Sequence, residues 1–317
     1  MNPTASLYNN RMQIHAALEF ACLDIMGKAT GKRVCDLLGG ALREAVPFAS
    51  YLFYRYPNEE TGVGGEETAE QMVAHARDLA QKHGFKTHKL KGGVFPPQHD
   101  VAVLRALAAA FPDHSVRLDP NAAWSVEESI WVAKQIADLK NDYLEDPTWG
   151  LAGMARVKKM VPYVPLGSNM ACFGYEDIAP ATLLEAVDVV LADPHWYGGL
   201  RATKALATVL ETFSLDMGMH SGTECGVSLA AMLHLTAALP NISHAPDAHY
   251  HYLEDDILKG GKLEYGDGGI AVPTGPGLGV ELDEEKVERY HQLYEAFMAS
   301  PMASQPRMGP VFTKPKW

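Results

Sequence analysis

Cysteine is scarce in this sequence and never clustered. The 317 residues include four cysteines, and no two of them are separated by only two residues. Structural zinc sites and disulfide frameworks both need closely or regularly spaced cysteines. Neither is therefore predicted, and we expect the thiols of Cys22, Cys35, Cys172 and Cys225 to be reduced.

Long apolar runs are absent as well. No stretch of 18 or more apolar residues occurs, and the first residues lack a basic segment followed by an apolar one. A membrane-spanning helix needs about 20 apolar residues, and a secretory signal needs both of those regions. The sequence therefore predicts a cytoplasmic protein.

Positive charge is in deficit. The chain carries 27 basic and 39 acidic side chains, which gives a formal net charge of -12. This balance opposes non-specific attraction to nucleic acid or to an anionic membrane, so neither is expected as a partner. A small anionic substrate is still compatible, because a few lysines and a metal ion can set the field inside a cleft.

From residue 45 onward, short apolar runs alternate with longer helical patterns. This alternation is typical of βα units and a parallel sheet, and its length is at the lower end for an eight-stranded βα barrel. We expect helices in residues 1–44, the barrel in residues 45–255 and a C-terminal segment in residues 256–317. Within that last segment we expect a hairpin or loop at 262–282, a helix at 284–298 and an extended tail at 300–317. The predicted strands are residues 46–54, 87–91, 115–119, 142–145, 164–169, 187–193, 215–220 and 242–247.

The first helix has apolar side chains at helical spacing. Residues Ile14, Ala17, Leu18, Ala21 and Ile25 fall on one face, and the helix is predicted to stop at the Gly-Lys-Ala-Thr-Gly stretch from Gly27 to Gly31. We interpret this face as the one that packs on the rest of the protein.

Polar residues end successive predicted strands at nearly even intervals of 28, 26, 24, 24 and 27 residues. Each interval is about one βα unit, and the carboxyl ends of barrel strands meet at one mouth, where such folds place catalysis. We therefore expect these side chains to converge: Lys91, Asp119, Glu145, Asn169, Asp193 and His220.

Three of these residues supply oxygen ligands from adjacent strands. Asp119, Glu145 and Asn169 suit a hard cation, Mg²⁺ first and Mn²⁺ second. The alternative is that the Asp-Pro pairs at 119–120 and 146–147 only form strand-ending turns.

The remaining residues suit proton transfer. Lys89 and Lys91 face the same side of a strand, and repulsion between two ammonium groups would lower the pKa of one, as a base requires. The carboxylate of Asp193 could hold the imidazole of His220 in one tautomer. The alternatives are solvent-facing lysines on an edge strand and a structural histidine. If Lys91 and His220 face each other, two bases flank one carbon, and a metal ion can stabilise the enolate formed there.

Together these stretches resemble the enolase superfamily and, within it, the glucarate dehydratase group. The similarity runs from about residue 14 to residue 294. The matching stretches are Lys-Leu-Lys-Gly-Gly at 89–93, Arg-Leu-Asp-Pro-Asn-Ala-Ala-Trp at 117–124, Tyr-Leu-Glu-Asp-Pro at 143–147, Ser-Asn-Met at 168–170, Leu-Ala-Asp-Pro-His at 191–195 and His-Ser at 220–221.

The resemblance implies a TIM-type (β/α)7β barrel beside the remainder of an α+β capping domain, represented by residues 1–44 and the return segment after 256. It implies Mg²⁺ on Asp119, Glu145 and Asn169, with Lys91 on one face of the substrate and the His220–Asp193 dyad on the other. Lys89 would neutralise the substrate carboxylate. Further substrate contacts would be Tyr51, Asn121, Ser221 and His249.

The implied reaction is dehydration of an acid sugar by removal of the proton α to a carboxylate, followed by loss of the β-hydroxyl. Alternatives are dehydration or epimerisation of another acid sugar, such as galactarate, tartrate or a monoacid. A non-catalytic partner of a full-length paralogue is the third alternative, since most of the capping domain has no counterpart here. Apolar surface left where that domain would pack favours a homo-oligomer.

Overall fold

The computed structural model describes residues 10–247 and 249–300. Among these residues, seven strands form one parallel sheet in which every strand pairs with its neighbours in the chain. This order is that of a TIM-type barrel. The strands are β2 (Ser50–Leu52), β3 (Thr87–Lys91), β4 (Ser115–Asp119), β5 (Asn141–Glu145), β6 (Leu166–Ser168), β7 (Val189–Ala192) and β8 (Asp216–Met219).

The helices between the strands pack their apolar faces on the outside of this sheet. They are α3 (Ala69–His83), α4 (Pro97–Ala110), α5 (Val126–Ile136), α6 (Gly150–Met160), α7 (Tyr175–Leu183), α8 (Leu200–Thr212) and α9 (Gly226–Ala237). Local sequence sets several boundaries. The hydroxyl of Thr68 accepts a hydrogen bond from the Gln71 backbone N–H at the start of α3, and Gly84 ends that helix with a φ of 81°.

The prediction of a regular eighth strand at residues 242–247 is wrong. Residues 242–247 run between β8 and β2 but form only two isolated parallel bridges, Met217↔Ile242 and Ala49↔Asp247. The Asp247 backbone N–H donates to the carbonyl of Met219, and the Ala49 N–H donates to the carbonyl of Pro246. Pro246 has no N–H to offer, so the ladder is interrupted where the barrel closes.

The predicted first strand is also corrected, since residues 46–54 divide between two sheets. β1 (Ala45–Pro47) pairs with β10 (Gly269–Ala271), which in turn pairs with β9 (Tyr265–Gly266). The hairpin turn is Asp267-Gly268, with φ values of 48° and 80°, as a tight two-residue hairpin requires. Only β2 joins the barrel. The return segment is therefore a hairpin, one of the two forms expected for it.

The first helix packs through the face opposite to the predicted one. In α1 (Asn10–Thr30) the buried hydrophobic side chains are those of Ala16, Phe20 and Leu23. Ile14, Leu18 and Ile25, which the periodicity assigned to the packed face, are each about 65% exposed. Helix α1 is therefore apolar on two faces, and the protein covers only one of them.

Two further helices complete the described part of the chain. α2 (Val34–Leu37) follows α1, and α10 (Glu284–Ala299) ends the described part close to the predicted helix. All four cysteines are free. The predicted tail lies outside the described residues apart from Ser300. No helix within 10–247 and 249–300 is both long and apolar enough to cross a membrane.

Candidate active site

The polar residues predicted to converge do so at the carboxyl ends of the strands. Lys91, Asp119 and Glu145 are the last residues of β3, β4 and β5. Asn169, Asp193 and His220 directly follow β6, β7 and β8. The parallel register places Lys91 beside Asp119. The spacing of the sequence therefore translates directly into a ring of side chains at one mouth of the barrel.

A cavity of about 600 Å³ opens above this ring. The residues of the candidate site fall into two layers. Lys89, Asp119 and Glu145 are completely buried and Asn169 is 4% exposed, and none of the four lines the cavity. The site residues that do line it are Tyr51, Lys91, Asn121, Asp193, His220, Ser221 and His249.

The buried layer is a compact cluster of opposite charges. The Lys89 ammonium lies 2.5 Å from Glu145 Oε2, 2.6 Å from Asp247 Oδ2 and 3.3 Å from Asp119 Oδ2. Lys91 donates a hydrogen bond to Asp119 and another, of 3.1 Å, to Asn121. Lys89 thus lies below the cavity floor, where it neutralises protein carboxylates.

The sequence predicts that repulsion lowers the pKa of Lys89 or Lys91, and this prediction is wrong. Burial would lower the pKa of Lys91, and Lys89 adds repulsion, but Asp119, Tyr51 and Glu145 together outweigh both and raise it. The pKa of Lys89 is likewise raised well above its ordinary value: burial opposes the charge, but Asp247 and Glu145, with smaller contributions from Tyr51 and Asp119, together outweigh it. The repulsion between the two lysines is present but is smaller than their attraction to the carboxylates.

Two of the three carboxylates in the cluster, Glu145 and Asp119, have pKa values shifted in opposite directions. Burial raises the pKa of Glu145 well above the usual range, and the charge of Asp119 raises it further. Burial also opposes ionisation of Asp119, but Lys91 and Lys89 lower its pKa below the ordinary value. Glu145 Oε2 has no hydrogen-bond partner of good geometry, although Lys89 lies within ionic distance.

Asn169 joins this cluster through its side-chain amide. In the orientation that satisfies its hydrogen bonds, the Asn169 amide nitrogen lies 3.2 Å from Glu145 Oε1 and 2.8 Å from Asp146 Oδ2. The amide oxygen then lies 3.2 Å from His220 Nε2. Asp146 also fixes the loop, because its carboxylate accepts hydrogen bonds from the backbone N–H groups of Asn169 and Met170. The backbone of Asp146 adopts a φ of 36°, the type of local strain that proteins hold at functional sites.

This donor set fits a hard divalent cation. It offers two buried carboxylates and the side-chain amide of Asn169 at the ends of three adjacent strands, and Glu145 Oε2 has no hydrogen-bond partner of good geometry. In the described part of the chain, no three Asp, Glu, His or Cys side chains are grouped as ligands of one metal ion. The third ligand in the candidate set is the amide of Asn169. Oxygen ligands without sulfur or nitrogen favour Mg²⁺ or Mn²⁺.

On the other side of the cavity, Asp193 holds His220. Asp193 Oδ2 lies 3.0 Å from Nδ1 of the His220 ring, and the indole of Trp196 lies against that ring with centroids 4.4 Å apart. Burial would raise the pKa of Asp193, but hydrogen bonds from His195 and His220 lower it below its ordinary range. The carboxylate is therefore charged and orients the imidazole.

A hydrogen-bonded chain forms the wall next to His220. The Ser221 hydroxyl donates to Glu224 Oε2 at 2.5 Å and lies 2.9 Å from Nδ1 of His249. Burial lowers the pKa of His249 to about 4, with a further contribution from Lys91. A hydroxyl that donates to Glu224 can only accept from His249, so Nδ1 of His249 carries the proton.

Comparison with known proteins identifies the family. Residues 71–286 match the family model described as "Enolase C-terminal domain-like". The chain belongs to the enolase superfamily. Its seven-stranded parallel sheet, with helices between successive strands, agrees with the barrel of that superfamily.

Within the enolase superfamily, the chain is similar to the glucarate dehydratase group. It is 44% identical over 289 residues to a protein named "Probable glucarate dehydratase" from Streptomyces coelicolor, and this match covers 89% of the chain and 66% of that protein. The chain thus spans just under two thirds of the length of this curated relative.

Two solved members of the enolase superfamily have closely similar structures. One, from Mycobacterium smegmatis, is complexed with tartrate and shows 44% identity and a TM-score of 0.86, covering 90% of this chain and 69% of that one. The other, from Pseudomonas fluorescens, has bound magnesium, potassium and tartrate, with 40% identity, a TM-score of 0.84 and coverage of 88% and 67%.

The sequence interpretation of this superfamily member missed four residues. Asp247 binds Lys89, Asp146 anchors Asn169, His195 contacts Asp193, and Glu224 lines the cavity. One signal was available, since Asp247 follows His220 by 27 residues and ends the last predicted strand. Asp146 follows Glu145 directly and His195 lies two residues after Asp193, but spacing does not distinguish them from turn residues.

Proposed function

We propose that this chain is a Mg²⁺-dependent acid-sugar dehydratase similar to glucarate dehydratase. The observation that carries the proposal is the pairing of Lys91 and the His220–Asp193 dyad in the wall of one cavity, above a buried pair of carboxylates. Two groups able to accept a proton and a site for a hard cation are what abstraction of a proton next to a carboxylate requires.

Asp119, Glu145 and Asn169 would hold the metal ion, with Mn²⁺ as the second choice after Mg²⁺. When bound, the cation supplies positive charge that stabilises the enediolate oxygens of the substrate. Lys89 and Lys91 now neutralise the same carboxylates. With a cation on those carboxylates, the Lys91 side chain would be free to face an anionic substrate. We propose that Lys89 neutralises the substrate carboxylate from below the cavity floor.

The proton steps belong to the two residues on either side of the cavity. His220 Nε2, or Lys91 Nζ in its neutral amine form, accepts the proton from the carbon next to the carboxylate, and the C–H electron pair becomes the enediolate. The imidazolium of His220, protonated either in this step or beforehand where Lys91 is the base, then donates a proton to the β-hydroxyl as the C–O bond breaks, so that water leaves and a keto-deoxy acid forms after tautomerisation. Asp193 holds Nδ1 of His220, which leaves Nε2 as the nitrogen available for both transfers.

The other predicted contacts would orient the substrate. Tyr51 lies at the cavity wall against His249, with ring centroids 4.3 Å apart, and Asn121 lies beside Lys91. Ser221 is hydrogen-bonded to both His249 and Glu224. We propose these four residues as contacts for substrate hydroxyl and carboxylate oxygens.

A second candidate is epimerisation, or dehydration of another acid sugar. Two proton-accepting groups in one cavity can remove and return a proton on opposite faces of one carbon, which inverts its configuration. The relatives solved with tartrate support a smaller diacid as an alternative to glucarate. The same cavity would serve each of these reactions.

Proton NMR in deuterated water tests the proposal. The purified chain would be incubated with Mg²⁺ and, in turn, with glucarate, galactarate, tartrate and gluconate. We expect loss of the α-proton signal for at least one acid, with a keto-deoxy product if dehydration follows. The control is the double variant Lys91→Ala/His220→Asn, which should be silent. Silence of the folded chain with bound Mg²⁺ would reject the catalytic proposal and favour a non-catalytic partner.

A further inference from the structure

Asp193 holds two imidazole rings, one on each of its oxygens. Oδ2 lies 3.0 Å from Nδ1 of His220. Oδ1 lies 2.6 Å from Nδ1 of His195 and also accepts the His195 backbone N–H at 2.9 Å. The side chain of Asp193 is 2% exposed, so no solvent molecule replaces either ring at this carboxylate.

The ring of His195 is itself held from two other elements. Its Nε2 lies 2.7 Å from the hydroxyl of Ser228 in α9, and the ring meets Phe20 of α1 edge-on with centroids 5.5 Å apart. Asp193, Ser228 and Phe20 therefore contact three sides of one imidazole. This packing leaves His195 little freedom to rotate, and it transmits that restriction to Asp193.

The hydrogen-bond chemistry fixes the direction of each bond. An ionised carboxylate only accepts, so Nδ1 of His195 carries a proton and donates it to Asp193. Oδ1 thus receives two N–H groups from one residue, and rotation of the carboxylate would break both. Hydrogen bonds to a charged acceptor are stronger than neutral ones, so the carboxylate plane is well determined.

We propose that His195 is a positioning residue for the base His220. By occupying Oδ1, it holds the carboxylate with Oδ2 facing Nδ1 of His220, and this sets both the tautomer and the direction of Nε2. The inference rests on the proposed function, in which His220 moves the substrate proton. Lys91 is held by Asp119 and Asn121 instead, so a loss of His195 should affect one face of the substrate only.

Two substitutions separate this role from general packing. In His195→Asn the amide nitrogen takes the place of Nδ1 and keeps the bond to Asp193. In His195→Gln the amide reaches the place of Nε2, which keeps the contact to Ser228 and loses the one to Asp193. The two variants lose similar amounts of ring packing, so they form a matched pair.

The first readout is α-proton exchange measured separately on two acid sugars that differ only in configuration at the α-carbon. We expect His195→Gln to slow exchange of the epimer served by His220 by about tenfold or more, as loss of a charge-assisted bond predicts. Exchange of the epimer served by Lys91 should stay within about twofold, and His195→Asn should restore most of the lost rate. Equal losses on both faces, or no loss on either, would overturn the inference.

The second readout needs no turnover. Two-dimensional ¹H–¹⁵N spectra of the imidazoles, assigned with His220→Asn, report which nitrogen of His220 is protonated. We expect a single Nδ1–H form in the wild-type chain and in His195→Asn, and a mixture in His195→Gln. A chain that exchanges no acid sugar would reject the proposed function, yet this spectrum would still decide the role of His195. Identical spectra for all three proteins would contradict that role.

Discussion

The buried ammonium of Lys89 provides the sharpest test of the charge cluster. The side chains of Lys89 and of its three carboxylate partners, Asp119, Glu145 and Asp247, are completely buried. In Lys89→Met the chain keeps a side chain of similar length and loses only the charge. Removing one member of a buried ion pair costs about 3–5 kcal/mol, because the remaining charge is left without a partner. We expect a loss of stability in this range at neutral pH.

A matched control is available in Lys86→Met. Lys86 forms an ion pair with Asp267 at 3.2 Å, but the two side chains are 69% and 89% exposed. Exposed pairs of this kind contribute about 0–1 kcal/mol. The same chemical change should therefore be nearly silent at this position. Urea unfolding of the wild type and both variants, in the presence of a chelator, measures the difference.

The same urea unfolding is also measured with added Mg²⁺. A divalent cation on Asp119 and Glu145 would replace the missing positive charge, so Mg²⁺ should stabilise Lys89→Met more than the wild type, where the ammonium competes for the same oxygens. Mg²⁺ at about 100 times its dissociation constant should raise the free energy of unfolding by about 2.7 kcal/mol. A cost no larger than that of Lys86→Met would refute the account of the cluster. Destabilisation without any response to Mg²⁺ would refute the proposed metal ligands.

Three further predictions follow from the site and its surroundings. Lys91→Ala should abolish exchange on one face of the substrate and leave the other; equal loss on both faces would contradict the two-base assignment. Asn169→Asp adds a negative charge beside Glu145 and should weaken binding of a diacid about tenfold or more in calorimetry with Mg²⁺ present; unchanged affinity would show that this position does not set the field of the pocket. Burial raises the pKa of Asp100 to about 6 although Gly93 and Tyr54 donate hydrogen bonds to it. Between the unfolded-state pKa of 3.8 and this value, the folded state keeps a proton that the unfolded state has released. The free energy of unfolding therefore falls by up to about 3 kcal/mol as the pH rises from about 4 to about 7. Asp100→Asn should remove that slope in urea titrations across this range, whereas parallel curves for both proteins would speak against it.

Much of the barrel could be predicted because its determinants are local. Strands β3 and β4 begin and end where the sequence predicts, at residues 87–91 and 115–119. Helix α5 begins directly after Ser125, whose hydroxyl accepts the Glu128 N–H. Regular βα spacing then brings six polar side chains to one mouth, since the carboxyl ends of parallel strands share an edge.

Periodicity failed where the outcome depends on what a surface packs against. Both faces of α1 are apolar, and the sequence offers no means to choose between Leu18, which is exposed, and Phe20, which is buried. Residues 242–247 carry a strand-like pattern, but their backbone lies between β8 and β2 and forms only one isolated bridge on each side. The stretch 46–54 is divided because its first residues pair with β10 and its later residues pair with β3.

Which residues stand at the ends of the barrel strands follows from the sequence alone, because strand and helix lengths are encoded locally and repeat at a nearly constant interval. How those residues are charged and oriented depends on the tertiary structure. Asp247 meets Lys89 across 158 residues of chain, and that contact helps to raise the pKa of the lysine that the sequence pattern alone would lower. His195 and His220 share one carboxylate because β7 and β8 lie side by side. Electrostatic energy depends on distance in space and on burial, and neither quantity is contained in the spacing along the chain.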